Sequence, residues 1–189
     1  MIRREQAERR REQLLDAALD VFAKKGIAGA SVKDIAAAAG VTQGLLYHYF
    51  EGKDALLDTL LQERTFLPQL RRRLETAAGR SAADVLPEMV RDYRHVLTEN
   101  VGLVSLFFSA STNEHVRAAM SEFIAEGQKL LADYLESRVA AGELRPHDTQ
   151  LLAKTLLAAV ATNQYMGDEI DPDQLVDLYL NGAAARPSR

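Results

Sequence analysis

The sequence of 189 residues contains no cysteine, no tryptophan and only five prolines. Without cysteine there are no disulfides, thiolate metal ligands or cysteine nucleophiles, which fits a reducing compartment. No apolar run approaches the roughly 18 residues that a membrane span needs. The N-terminus, Met-Ile-Arg-Arg-Glu-Gln-Ala-Glu-Arg-Arg-Arg, has no apolar segment behind it that suits export. A cytoplasmic chain without a membrane partner is therefore expected. A phosphate-binding glycine loop, a nucleophile elbow and a paired-histidine motif are also missing, so neither an enzyme nor a cofactor is expected. His48, His95, His115 and His147 lack zinc-like spacing. The acidic group Asp168, Glu169, Asp171 and Asp173 suits helix capping better than a divalent cation, and no metal is expected.

What is present describes an ordinary globular chain: 47% hydrophobic and 26% charged residues, with length for one substantial core or two small ones. The net charge of −4 is unevenly spread. Residues 1–53 hold 9 Lys/Arg against 7 Asp/Glu, whereas residues 54–189 hold 14 against 20. The positive end is the N-terminus, and the acidic remainder would repel a polyanion such as phosphate and so orient the molecule on it.

The periodicity is helical nearly throughout, and no stretch alternates apolar and polar residues long enough for a sheet, so the fold class is all-α. A first helix is predicted from about Gln6 to Lys25, with Leu14, Ala18, Val21 and Phe22 on one stripe and Gly26 as a left-handed C-cap. Ser31 caps a second, short helix with Asp34 three residues on, and Gly40 stops it. Thr42 caps a third to about Phe50, and a fourth runs from about Lys53 through the mid-60s, where Pro68 kinks or ends it. Later turn signals separate spans of about 82–99, 101–109, 114–141, 148–166 and 173–183, with Pro87 early enough in its helix to be tolerated.

Stepping the third helix at 100° per residue separates Thr42, Leu46, Tyr49 and Phe50 from Gln43, Gly44, Tyr47 and His48. An exposed surface of two rings, an amide and a glycine suits a groove that backbone must approach closely. Gln43 can pair with an adenine edge, and Leu45, at the border, can touch a thymine methyl. The order helix, Gly40-Val41, helix is that of a helix-turn-helix over about residues 31–50, whose first member, bearing Lys33, crosses the backbone while the second enters the major groove. Lys53 sits at a helix N-terminus, where its ammonium and free N–H groups can share a phosphate. The same residues also suit a helical hairpin with incidental exposed aromatics. Arg3, Arg4, Arg9, Arg10 and Arg11 fit either a flexible basic arm on DNA or a solvated face interleaved with Glu5, Glu8 and Glu12.

The run from Ser31 to Phe50, with Lys53 and Ala55-Leu56-Leu57 after it and Leu15 to Gly26 before it, resembles the DNA-binding domain of TetR-family transcriptional regulators. The resemblance covers roughly residues 8–60. It implies a homodimeric regulator with an N-terminal three-helix DNA-binding bundle, residues 1–52, and a larger C-terminal helical domain, residues 53–189, for effector binding and dimerisation. It implies that Thr42 and Gln43 begin the recognition helix, that Gly44 permits close approach, that Tyr47 and Tyr49 contact the DNA backbone, and that Lys53 clamps a phosphate. It further implies a repressor released from a pseudo-palindromic operator by a small molecule. Control by a protein partner instead of a ligand is the alternative.

For dimerisation, the apolar stripes containing Leu152, Leu156 and Val160, and Leu175, Leu178 and Tyr179, are the candidates, and an intramolecular core would use the same residues. For the effector pocket the candidates are Met89, Tyr93, Phe107, Phe108, Asn163 and Met166. Few charges lie near them, so an uncharged or lipophilic effector is expected, with Asn163 and Gln164 available to orient a headgroup.

Overall fold

The computed structural model of the chain describes residues 2–100 and 114–182, and the helix expected over 101–109 lies outside them, with Phe107 and Phe108. Among the described residues there are nine helices and no strand. They are α1 (Ile2–Gly29), α2 (Val32–Ala38), α3 (Gln43–Tyr49), α4 (Lys53–Glu63), α5 (Leu67–Thr76), α6 (Ala82–Glu99), α7 (Glu114–Ala140), α8 (Thr149–Met166) and α9 (Pro172–Asn181). The all-α expectation holds. α1 starts earlier than predicted, and the axis breaks at Gly26, whose φ of 68° and ψ of 162° suit glycine alone before a last short turn. α5 was not anticipated as a separate helix. Pro68 stands in its first turn, where the missing N–H has no intrahelical partner to lose.

The chain forms two compact units. One comprises residues 1–65 with 100–123, and the other 66–99 with 124–189. In this grouping α4 lies in the first unit, whereas the sequence reading sets it after a boundary at residue 52. Leu56, Leu57, Leu60 and Leu61 give α4 an apolar stripe that is buried in the same core as Leu14, Leu15, Ala18 and Phe22 of α1. Burying four leucines is worth roughly 1.5–3 kcal/mol each. Ile35 and Ala36 of α2, Leu46 of α3, Phe50 just after it, and Met120 of α7 complete this core.

In the second unit α6 packs against α5, α8 and α9. Its buried residues, Val85, Leu86, Met89, Val90, Val96 and Leu97, recur with helical spacing. Phe66 stacks on Tyr93 with ring centroids 4.7 Å apart. Ion pairs of Arg73 with Glu88 and Asp92, and of Arg80 with Glu88, tie α5 and the turn after it to α6.

Candidate nucleic-acid interface

The helix pair is closed at both ends by its own sequence. The Ser31 hydroxyl accepts from the Asp34 backbone N–H (3.1 Å) and the Asp34 carboxylate accepts from the Ser31 N–H (3.1 Å), a complete capping box for α2. Lys25 reaches the same carboxylate at 2.7 Å. The Lys25 ammonium first, and then the Ser31 hydroxyl, hold the Asp34 carboxyl down to about 2. At the other end of α2, Gly40 has φ 64°, its N–H donates to Ala37 O and the Val41 N–H donates to Ala36 O. This reciprocal pair of bonds ends the helix through a left-handed residue, and a side chain at 40 would strain the turn that aims α3. Thr42 then caps α3 by accepting from the Leu45 N–H at 3.2 Å.

The two sides read from the sequence are observed except at Thr42, which the helical wheel puts with Leu46 and Phe50 and which is exposed as the N-cap of α3. Leu46 and Phe50 are buried, whereas Thr42, Gln43, Gly44, Tyr47 and His48 are exposed, Tyr47 by 54%. Leu45 is intermediate, as a border residue should be. Lys33 is exposed on α2. Tyr49 is half-buried against the core and meets the His48 ring edge-on at 5.4 Å, so only its rim is free for a partner. Most large apolar side chains of this unit are spent on the core, and a half-exposed tyrosine beside an exposed amide and glycine remains as a contact surface.

Lys53 departs from expectation. Its ammonium does not stand free at the start of α4. It donates to Ile27 O at 2.8 Å and Ala30 O at 3.2 Å, so it fastens α4 to the chain at the end of α1. The physical reason is that terminal carbonyls of a helix lack intrahelical donors and attract cations. Nor do the N-terminal arginines form a flexible arm: Arg3, Arg4, Arg9, Arg10 and Arg11 all lie within α1. Arg11 belongs to the fold. It makes a bidentate pair with Glu63 at 2.7 and 2.5 Å, which holds the Glu63 carboxyl below the usual range, and its guanidinium lies 5.7 Å from the Phe50 ring centre.

The residues proposed for control fall into three groups. Leu156 and Val160 are buried within the second unit. The most apolar stripe of a helix goes to its own core, and the weaker stripe is left outside. On α8 that outer stripe holds Leu151 and Tyr165, both at least half exposed and four turns apart on one face. Leu152 of α8 is intermediate, and on α9 Leu178 is 52% exposed while Leu175 and Tyr179 are intermediate. The pocket candidates do not converge. Met89 is fully buried, Tyr93 stacks on Phe66, the Asn163 amide donates to Ala159 O of its own helix at 2.9 Å, and Met166 is 68% exposed. Asp171, of the acidic cluster, caps α9 by accepting from the N–H groups of Asp173 and Gln174. No helix among the described residues is long and apolar enough to cross a membrane.

Comparison with known proteins agrees with this geometry. Residues 14–60 match the family model of bacterial regulatory proteins of the tetR family, and residues 84–168 match that of the C-terminal domain of AefR-like transcriptional repressors. The HTH-type transcriptional repressor KstR2 of Rhodococcus jostii is 31% identical over 183 residues, which cover 91% of this chain and 88% of that protein. The fatty acid degradation regulator FadR of Bacillus halodurans superposes with a TM-score of 0.77 at 26% identity, covering 94% of this chain and 97% of that one. FadR of Bacillus subtilis, solved with stearoyl-CoA, gives 0.76 at 22% identity over 92% and 99% of the two chains. With a capped helix-turn-helix presenting Gln43, Gly44, Tyr47 and His48 to solvent, the chain belongs to the TetR family of DNA-binding transcriptional regulators and is a repressor.

Proposed function

We propose that two copies of this chain hold their α3 helices about one DNA turn apart on a pseudo-palindromic operator, and that an acyl-CoA thioester releases them. The observation that carries the DNA side is the exposed face of α3. Gln43 reads a base edge, Leu45 touches a thymine methyl, Gly44 lets the helix axis come close, and Tyr47, with the free rim of Tyr49, rests on the backbone. Thr42 and His48 flank these contacts, and Lys33 reaches the phosphates that α2 crosses.

The dimer is supported by the outer face of α8 and α9, where Leu151, Tyr165 and Leu178 stay exposed despite their size. Two such faces related by a two-fold axis form a four-helix bundle with small residues, Ala158 and Thr162, at its centre. The effector class is supported by the fatty acid regulators among the similar structures, one of them solved with stearoyl-CoA. Met89 and Tyr93 are one turn apart on α6, and an acyl chain entering beside that helix displaces packing that the unbranched methionine yields easily. Release requires the thioester to bind the DNA-incompetent state more tightly, and that difference sets the response.

Sequencing the genomic DNA that the purified protein retains tests the first part, and titrating the recovered site with acyl-CoA esters of increasing chain length tests the second. Specific retention and release by long-chain esters, but not by free CoA, are expected. Failure of every ester from short to long chain to release bound DNA would remove the effector reading and leave the operator reading intact.

A further inference from the structure

In sequence the first helix mixes arginine and glutamate, but in three dimensions it separates them. Stepping α1 at 100° per residue puts Gln6, Arg9, Arg10 and Gln13 on one stripe. Glu8 and Glu12 fall on another flank, where Glu12 and Asp16 pair with Arg64 of the segment after α4. The amide and arginine stripe lines an open hollow of about 690 Å³, and the opposite wall is Leu45 and Tyr49 of α3. A basic wall therefore faces the recognition helix across a groove.

The wall is built, not loose. The Gln13 side-chain amide donates to Ala39 O at 2.7 Å, at the end of α2, and its oxygen accepts from Arg10 Nη1 at 2.8 Å. That relay joins Arg10 to the turn of the helix-turn-helix, and among the described residues it takes one of the five guanidinium N–H groups. Arg9 is exposed and has no hydrogen-bond or ion-pair partner among the described residues, although Glu5 stands one turn away on the same helix. In this region Arg11, Lys25, Lys53 and Arg64 are instead bound to carboxylates or carbonyls. Arg4, Lys24 and Lys33 are also exposed without such a partner among the described residues, but Arg9 and Arg10 are the cations that line the hollow facing α3.

We propose that Arg9 and Arg10 form a second phosphate-binding wall, seated on the DNA strand that borders the groove entered by α3. Gln13 is the positioning residue that holds Arg10 in register with the reading helix. This inference rests on the operator reading above and adds a place where the strand is held. Arginine suits the task because its planar fork takes two phosphate oxygens at once. Such contacts carry no base information and set the register of the protein on the duplex.

The test is the salt dependence of binding by the full chain to the site recovered from retained genomic DNA, followed by fluorescence anisotropy from 50 to 300 mM KCl. Two phosphate contacts contribute about 1.8 to the slope of log K against log salt, so Arg9→Ala/Arg10→Ala lowers the slope by about that much and weakens binding about 30-fold at 0.15 M salt. Base preference across a randomised site stays unchanged. Gln13→Ala lowers the slope by less than one contact's share, a change that loss of stability alone does not produce. A charge-matched control, Arg72→Ala/Arg145→Ala in the second unit, keeps the wild-type slope. The proposal is overturned by an unchanged slope in the folded double variant, by an equal fall in the control, or by an altered base preference at a flanking position, which would assign the arginines to base reading. If the wild-type chain retains no site, or Gln43→Ala binds as wild type does, the operator reading itself has failed, an outcome separable from an unchanged slope alone.

Discussion

Replacing Lys53 by methionine separates two roles that sequence alone merges. In the structure the ammonium donates to Ile27 O and Ala30 O, the first at 2.8 Å, from a partly buried position. Methionine keeps the apolar stem and removes both bonds. A hydrogen bond from a charged donor is worth roughly 1.5–3 kcal/mol net, and the two carbonyls are shallow enough for water to recover part of it, so a loss of about 2 kcal/mol is expected for the pair. For a chain of this size that lowers the melting temperature by about 4–8 °C. The assay is thermal and urea unfolding followed by circular dichroism, together with the salt slope of operator binding. An anchoring lysine gives a lower midpoint and an unchanged slope. A phosphate clamp gives the reverse, an unchanged midpoint and a slope smaller by about 0.9, and that result would refute the anchoring role.

Gln43→Ala should relax discrimination at one base pair by about 5- to 150-fold, the worth of a bidentate pair of roughly 1–3 kcal/mol, without moving the unfolding midpoint, as read from a randomised-site selection. Tyr47→Ala should weaken all sites alike. The depressed Asp34 carboxyl gives a pH prediction: its stabilisation of α2 is fully present above the free-aspartate value of 3.8 and fades as pH falls toward about 2, so its carboxyl carbon shift should titrate near 2 and this pH dependence should vanish in Asp34→Asn, whose amide oxygen still accepts from the Ser31 N–H. In α8, Leu156→Ala should cost about 2–5 kcal/mol in urea unfolding and leave the oligomer intact, whereas Leu178→Glu on the exposed face of α9 should yield folded monomers in light scattering.

The reading head was legible because its signals are local. Ser31 with Asp34, Gly40 after α2, and Thr42 before α3 each do in the structure what a capping or turn residue does in a short peptide. The division of α3 into Leu46 and Phe50 against Gln43, Gly44, Tyr47 and His48 needs only a helical wheel. What was not legible depends on distant partners. Lys53 at a helix start looks like an anion contact until the carbonyls of Ile27 and Ala30, more than twenty residues upstream, are placed beside it. The arginines look like an arm until Gln13 is seen to reach Ala39.

The same distinction explains why the controlling half was harder to read, and it bears on how the two tasks of a regulator evolve on one chain. A groove-reading face must keep unusual residues in water, so it stands out against the rule that rings and large apolar groups are buried. A lipophilic effector site must be made of the residues that fill cores. Met89 shows the consequence: at zero exposure it is packed as an ordinary core side chain, and nothing in its type distinguishes a wall that opens from one that never does. The proposed interface obeys a related constraint, since apolarity ranks the stripe of Leu156 and Val160, which α8 buries in its own unit, above the exposed stripe of Leu151 and Tyr165. An interface of marginal apolarity is what a helix with two packed faces should have, because the free chain must remain soluble before it pairs. For the dimer proposed above, exposed Leu151, Tyr165 and Leu178, spaced among small and polar residues, meet that requirement, whereas a row of leucines would not.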